Sequence, residues 1–548
     1  MEHQTQILIV MISYLTLLIL WGLYQGRKVK TDSDYSIAGR KLPGWAAALS
    51  ERATGESSWC LLGLPGAAYV TGLTEIWTAL GCVIGIITAW ALIAWRLRDE
   101  AENYEVNTFT DYIAKRHSDM GNWIRVVGSL TIVFFFFFYV GAQFLGGGKT
   151  LHTMFKIDPI VGMFITAIII VPYTIYGGFR SVVYTDVIQA IVMITALVVG
   201  PIVGLIYLSS HVDPDLFART IPEALSKAGS EYISLTGAAS GFAAGIVIMG
   251  GFSWFFGYLG GQPQLSMRFM AIKDPTQAKK GRNIGIAWTV IAYIGALAIG
   301  WIGIAIFGPT GLADREYVMP SVMLKIFPPA IAAVLITGAI AAMISTADSL
   351  LILSSTELSE NILKPQKRTQ GVGLSDLTRS RIVTAVLAVI ALVLAYLSPS
   401  KLIYTIVGYV WAGVGGTFSI VILFTLFWKR FHGKAALVTI IVGMLFTIIW
   451  ISTGMEENYK LTQQSFKKLK SEKVAEDILN KLEQIEDKSF PTKRKFEKAV
   501  KSYLGEKKAD KYKSIIVKHA IEQKITARIM TFLVAGLVGL ISTFAFKR

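Results

Sequence analysis

The sequence predicts an all-α integral membrane protein of about thirteen transmembrane helices. Three observations predict it. The 548 residues are 53% hydrophobic, with a mean hydropathy of +0.53, more apolar than a soluble chain of this length. Apolar runs near twenty residues recur along the chain, each long enough to cross a bilayer as a helix. The second run, AAALSERATGESSWCLLGLPGAAYV at 46–70, is interrupted by charges and glycine at its centre.

In order, the spans are expected near 6–24, 45–70, 75–95, 122–145, 158–178, 184–208, 235–260, 283–307, 328–353, 382–398, 403–428, 435–452 and 528–546. The first has no basic stretch before it and no small-residue cleavage site after it. It reads as a retained helix rather than a signal peptide. The second holds Glu51, Arg52, Thr54, Gly55, Glu56, Ser57 and Ser58 at its centre. A charge at membrane depth costs roughly 2.5–3.5 kcal/mol even on lenient scales, so these residues are expected against protein rather than lipid. Gly and Ser let the helix unwind where it lines a cavity. The seventh span ends in SWFFGYLGGQP and reads as broken as well. With the first helix set apart, the next ten make two halves of five, each opening on a broken helix. Matching interruptions are the sign of inverted repeats. Freed carbonyls at the midplane are where secondary transporters hold substrate and Na⁺.

The net charge of +16 does not point to nucleic acid, because of how it is distributed. Roughly 25 basic residues lie in alternate loops against roughly 7 in the short loops between them, the bias of cytoplasmic loops. The basic set includes Arg27, Lys28, Arg96, Arg98, Lys279, Lys280, Lys364, Lys367, Arg368, Lys547 and Arg548. A multi-pass protein of the cell (inner) membrane is expected, N-terminus outside and C-terminus cytoplasmic, with the lipid bilayer as its partner. Oligomeric state is not legible. Three parts are expected: a membrane body at 1–452, a polar Lys/Glu-rich insert at 453–527 and the last span at 528–548. The insert falls outside by alternation. Val474, Ile478, Leu479, Leu482 and Ile485 recur in it at helical spacing, as do Phe496, Val500, Tyr503 and Leu504, with Pro491 near the start of the second pattern. Amphipathic helices forming a small subdomain are expected there. Cys60 and Cys82 lie in spans and read as small buried hydrophobes.

Several motifs bear on chemistry. Gly146-Gly147-Gly148-Lys149-Thr150 resembles the end of a phosphate-binding loop, but Gln143 stands where the pattern needs Gly, and a helix precedes it rather than a strand. No hydrolase or paired-cysteine metal pattern is present, so an enzyme is not expected. In the ninth span, Ser345 and Thr346 with the Ala342 carbonyl offer three oxygens from one helix, the ligand type a hard cation takes. Carbonyls of an unwound Ala53–Glu56 would complete the set. Hydroxyls also back-bond within membrane helices, and Asp348 beside them favours function, because intramembrane carboxylates are functional by default. Asp186 is a second such carboxylate, or else an acid meeting a helix dipole. Trp254 and Tyr258 share a face beside the irregular Gly260-Gly261-Gln262-Pro263. Arg52 either pairs with Glu56 at i,i+4 or grips a substrate carboxylate.

Taken together, several runs resemble the sodium:solute symporter family, and within it the proline branch. They are DYSIAGRKLPGWAAALS at 34–50, WCLLGLPGA at 59–67, TD-x-x-Q at 185–189, QP-x-x-x-x-RFMA at 262–271, IAAMIST at 340–346 and YVWAGVGG at 409–416. The likeness covers roughly residues 6–450. It implies a leucine-transporter-type fold of five-plus-five inverted repeats, with the second and seventh helices unwound. It implies a first Na⁺ site on the carbonyls of Ala53, Glu56 and Ala342 and the hydroxyls of Ser345 and Thr346. In some members a second Na⁺ uses positions matching Asp186, Ser345, Asp348 and Ser349. The substrate cavity maps to Tyr139, Trp254, Tyr258 and Pro263, and Ser57, Ser58 and Gln143 complete the candidate set. The chain departs from the proline branch in having Gly55 where an aspartate is usual, with Glu56 following. Arg52 replaces a small residue, Asp348 replaces a hydroxyl residue, one extra Gly precedes Gln262, and the insert has no counterpart.

The expected function is Na⁺-coupled import of a small organic solute by alternating access, with one or two Na⁺ per cycle. Proline or a related amino acid is the leading substrate, and a sugar, sialic acid or a carboxylate is the alternative. A membrane sensor with a transporter-like body is a rival from another class. It would be expected to carry a cytoplasmic output domain, and almost no chain is expected inside after the last span.

Overall fold

The computed structural model describes residues 2–210, 213–363, 376–398, 400–455, 457–472, 474–486, 488, 490, 493–523 and 525–546. Pro491, and Lys364, Lys367, Arg368, Lys547 and Arg548 of the basic loops, lie outside the described residues. Among the described residues, ten helices are long and apolar enough to cross a membrane. One of them, Gly44–Asn103, is 60 residues long and takes in the second and third expected spans. Two shorter apolar helices, Pro159–Pro172 and Gly241–Gly257, stand where the fifth and seventh were expected. The thirteen expected crossings are thereby all present as helix.

Both expected spans are broken, but Ala53–Glu56, expected unwound, stays helical and the break falls one residue later. Within Gly44–Ser58 the backbone leaves the helix at Ser57, with φ 45° and ψ −167°. A π-helical turn, Trp59–Gly63, follows, a feature that often marks functional sites. The seventh span runs as Gly241–Phe252 and Trp254–Gly257, and the chain then turns at Gly260 (φ 80°) into Pro263–Met270. Gly261 has no room for a side chain. A Cβ there would lie 2.2 Å from Ser419 N and 2.4 Å from Gly415 O in the eleventh span.

The ninth span, Pro329–Asn361, is the axis of the bundle. It is buried on nearly every face from Gly338 to Ser355. A helix apolar or small all round belongs in a core, and this one packs on the second, fourth and sixth spans. The glycines of the phosphate-loop lookalike serve packing too. They lie within the continuous helix Gly121–Phe155, and a Cβ at Gly148 would come 2.1 Å from Pro159 O. Lys149 binds no anion loop either: its Nζ is 2.6 Å from both Asp314 and Glu316.

The polar region after the twelfth span has its own core. Val474, Ile478, Leu479, Leu482, Ile485, Phe496, Val500 and Leu504 cluster with Tyr459, Leu469 and Ile516. Its two ends meet in a short antiparallel pair, Glu457–Tyr459 with Ile521–Gln523, in which Asn458 opposes Glu522. That pairing brings Gly433–Ser452 and Ala527–Ala545 side by side, and these two spans pack on one another.

Candidate functional site

The break at Ser57 is held from the fourth span. A non-glycine residue at positive φ is strained, by about 1–3 kcal/mol, and persists only where its surroundings fix it. Tyr139 donates its hydroxyl to Ser57 Oγ at 3.1 Å. Gln143 Oε1 accepts the Ser58 backbone N–H at 3.1 Å. Ser57 Oγ also accepts from Trp59 N–H at 3.2 Å. Four expected substrate-site residues, Ser57, Ser58, Tyr139 and Gln143, are thus brought into one cluster. Ser58 Oγ is buried there without a hydrogen bond.

Immediately before the break, the second span faces the ninth. Ser345 Oγ lies 3.0 Å from Ala53 O and 2.9 Å from Ala342 O. Thr346 donates to Thr54 O at 3.0 Å. The Glu56 carbonyl accepts from Trp59 N–H. Three backbone oxygens and two hydroxyls therefore converge, all fully buried. The donor set is oxygen throughout, which fits a hard cation rather than a soft one.

Asp186 is not at a helix start. It lies eight residues after the kink at Gly178 (φ 62°) that divides Pro159–Ser209, about two turns into the second part, and is fully buried. Its Oδ2 accepts from Ser50 Oγ at 2.6 Å, from Thr54 Oγ1 at 3.3 Å and from Arg268 Nη2 at 3.0 Å. The same Arg268 Nη2 donates to Ser349 Oγ, and Arg268 Nε donates to Ser50 Oγ at 3.0 Å. The guanidinium therefore sits at the centre of Asp186, Ser349, Ser50 and Thr54. Asp348, next to Ser349 in the chain, is fully buried as well. Arg268 lies in Pro263–Met270, the second half of the broken seventh span, so its guanidinium ties that segment to the sixth span through Asp186, the second through Ser50 and the ninth through Ser349.

Arg52 is buried between two acids. Its Nη1 donates to Glu56 Oε1 at 2.8 Å and to Thr289 Oγ1 at 3.2 Å. Its Nε donates to Glu51 Oε2 at 2.5 Å, and its Nη2 to Glu51 Oε1. Trp90 Nε1 completes Glu51 Oε2 at 3.1 Å. Glu51 thus takes a two-point grip on the guanidinium, and Glu56 a one-point grip. A side chain at 55 would crowd this pair: a Cβ on Gly55 would lie 3.2 Å from Leu265 and 3.4 Å from Arg52 Nη2.

Beyond the break is a packed cluster of rings. Trp59 stacks on Trp254, with centroids 4.4 Å apart and planes 10° apart. Trp411 lies 6.4 Å from Trp59, 5.6 Å from Tyr139 and 5.4 Å from Tyr258. Tyr258 and Tyr293 share a hydroxyl contact of 3.1 Å. Pro263 begins the helix that leads away from Tyr258. Arg528, at the start of the last span, lies 4.6 Å over Trp254 and donates to Ser253 Oγ at 2.8 Å. These rings are buried.

The profile of the sodium:solute symporter family matches residues 35–443, three quarters of the chain and every cluster above except Arg528. The chain belongs to the sodium:solute symporter family. It is a Na⁺-coupled symporter of a small solute and a multi-pass membrane protein. Among characterised relatives, the osmoregulated proline transporter OpuE of Bacillus subtilis (strain 168) is 33% identical over 448 residues, covering 81% of this chain and 88% of OpuE. The high-affinity proline transporter PutP of the same strain is 32% identical over 443 residues, 80% of this chain and 91% of PutP. Sodium/proline symporter 2 of Staphylococcus saprophyticus is 33% identical over 456 residues, 82% of this chain and 86% of its own. A Na⁺-coupled sialic acid symporter solved substrate-bound and outward-open shares the fold, with a TM-score of 0.68 at 20% identity over 82% of this chain and 92% of that one.

Two contributors were not expected from the sequence of this symporter: Arg268 and Thr54. Arg268 sits in the quoted QP-x-x-x-x-RFMA run, and the signal was present. A lone arginine just past a broken membrane helix needs a buried anion, and Asp186 was the candidate. Glu51 was expected beside Glu56 as counter-charge to Arg52; its two-point grip on the guanidinium was not, because adjacent residues on a helix do not face one another. The Arg52 side chain reaches back to it only under tertiary packing.

Proposed function

We propose that this chain imports proline or a closely related small amino acid, driven by one Na⁺ bound between the second and ninth spans. The Na⁺ ligands are the carbonyls of Ala53 and Ala342 and the hydroxyls of Ser345 and Thr346. Thr54 O and Glu56 O stand at the edge of the set. The observation that carries the reading is the pairing of ninth-span hydroxyls with second-span carbonyls directly before the Ser57 break. A cation seated between them, with the hydroxyl protons turned away and the oxygens facing it, would bind both spans at once. The naming of relatives as proline transporters, at about one third identity over four fifths of this chain, supports the substrate.

In this scheme Na⁺ fastens the broken second span to the ninth. Substrate then binds among the rings beyond Ser57, against Tyr139, Trp254 and Tyr258. Rocking of the halves opens the other side. Coupling requires each ligand to raise the affinity of the other by the same factor. The N-terminus and the 453–527 insert face outside, and the C-terminus faces the cytoplasm, as the basic loops direct.

The test is uptake into proteoliposomes holding the full chain, with radiolabelled proline, other amino acids, a hexose, sialic acid and a carboxylate, each with and without an inward Na⁺ gradient. Proline uptake that collapses with the gradient is expected. Proline uptake indifferent to Na⁺, or uptake of the sugar or sialic acid in its place, overturns the reading.

A further inference from the structure

We propose that the Glu56 carboxylate seats the positively charged nitrogen of the cargo, so that this symporter selects solutes bearing a protonated or quaternary amine over uncharged and purely anionic ones. The inference rests on the reading of the chain as an amino-acid importer and adds the residue that reads the nitrogen.

The first observation is an unfilled oxygen. Glu56 is fully buried, and its Oε1 accepts from Arg52 Nη1 at 2.8 Å. Its Oε2 has no partner of good hydrogen-bond geometry, although the Tyr293 hydroxyl and the Cys60 thiol lie against the carboxyl group. A carboxylate has about four acceptor positions, and a buried one left short of donors is costly. The second observation is charge. Glu51, Arg52 and Glu56 are two anions around one cation, all sealed from water. Glu51 already holds two donors of the guanidinium and the Trp90 N–H. Among the described residues no other cation pairs with Glu56. The groups that face it, Tyr293 and Cys60, are neutral acids. One guanidinium is thus shared by two acids, with Glu56 held by a single contact to it, and burying an incompletely paired charge is expensive.

The third observation is what lies beside that oxygen. Tyr293 touches Glu56 on one side and lies 5.9 Å from Trp59 on the other. Trp59 carries Trp254 stacked on its face and has Tyr404 and Trp411 within 6.5 Å. Ring faces attract cations, and quaternary ammonium groups are bound in such cages. The surroundings are rich in rings and poor in oxygen. A bare alkali ion prefers the opposite, the all-oxygen set at Ser345 and Thr346 on the other side of the second span. An alkylammonium or ring N–H₂⁺ matches both halves of the Glu56 site: a hydrogen bond to Oε2 and carbon against the rings. Gly55 keeps the acid at 56, since a side chain at 55 would meet Leu265 and Arg52.

The experiment uses the purified full chain in saturating NaCl, with competition against bound radiolabelled proline. The competitors are proline, tetrahydrofuran-2-carboxylate, in which oxygen replaces the ring nitrogen, and choline. Proline is expected to outcompete the oxygen analogue by about 100-fold, and choline to compete measurably, as a lost buried charge contact implies. In Glu56→Gln the amide oxygen keeps the Arg52 hydrogen bond. Proline affinity should fall about 30-fold and the gap to the oxygen analogue should close, while the Na⁺ concentration that half-saturates the tryptophan fluorescence change without substrate stays within about two-fold. Equal competition by tetrahydrofuran-2-carboxylate in the unaltered protein overturns the inference without any variant, and so does unchanged proline affinity in Glu56→Gln. If the unaltered protein binds no amino or imino acid but binds choline through Glu56, the substrate reading fails and the ammonium seat stands. Binding of sugars or carboxylates alone overturns both.

Discussion

Arg268 Nη2 stands 3.0 Å from Asp186 Oδ2, with both side chains fully buried. The guanidinium also reaches Ser349 and Ser50, and so touches two of the four residues, Asp186 and Ser349, on which the resemblance implies a second Na⁺ in some relatives. A tethered cation does there what a bound one would do: it neutralises Asp186 and draws the sixth, seventh and second spans together. Its reach depends on the seventh span being broken, because Arg268 sits eight residues past the Gly260 turn.

With Asp186 and Ser349 engaged from within, uptake should depend on Na⁺ with a Hill slope near one. Radiotracer flux measured across Na⁺ concentrations at saturating substrate checks this. A slope near two means that Arg268 leaves the site during the cycle and Na⁺ replaces it.

Removing one partner of this buried pair strands the other. Arg268→Gln is expected to destabilise the protein by about 3–5 kcal/mol. Asp186→Asn added to Arg268→Gln should return most of that loss. Thermal stability in detergent, followed by size-exclusion recovery after heating, distinguishes the single from the double variant. Equal loss in both means that the pair is not coupled.

Thr346→Ala deletes one oxygen of the proposed cation set and leaves Thr54 O without its donor. The Na⁺ needed for half-maximal uptake should rise about tenfold or more, as for a lost charge-assisted contact. The substrate KM at saturating Na⁺ should move much less. If neither Thr346→Ala nor Ser345→Ala shifts the Na⁺ dependence, the assignment is wrong.

Arg52→Ala leaves two buried acids without a counter-charge and should cost about 3–5 kcal/mol. Because Glu51 holds two donors and Glu56 one, Glu51→Gln should restore more stability to Arg52→Ala than Glu56→Gln does. Melting of the two double variants decides it. The reverse order would show that the i,i+4 pair dominates. Full uptake by Arg52→Ala would remove any role for the cluster.

The insert buries its own side chains, apart from the membrane core. Leu482→Ala, at a fully buried position, should loosen it by about 2–5 kcal/mol while substrate uptake persists. Limited proteolysis within 453–527, run beside the uptake assay, checks both halves of that statement. Loss of uptake at wild-type protease resistance would contradict it.

How far the sequence reached can be judged from particular residues. Hydropathy alone determined the thirteen crossings, because a bilayer demands about twenty apolar residues for each and leaves little freedom. Charge inside the second run, and Gly260-Gly261 in the seventh, were enough to locate both breaks, since no lipid-facing helix tolerates them. Helical spacing in 474–504 was enough to give the insert a core. Tertiary structure decided the pairings. The break falls at Ser57 because Tyr139 and Gln143, more than eighty residues away, satisfy the groups it frees. Thr54 O, rather than Glu56 O, meets Thr346, because the helix stays wound up to the break. Arg268 meets Asp186 only after the seventh span turns. Long side chains reach across spans in directions that one-dimensional spacing does not encode, so the chain shows which groups must be paired, and packing alone selects with whom.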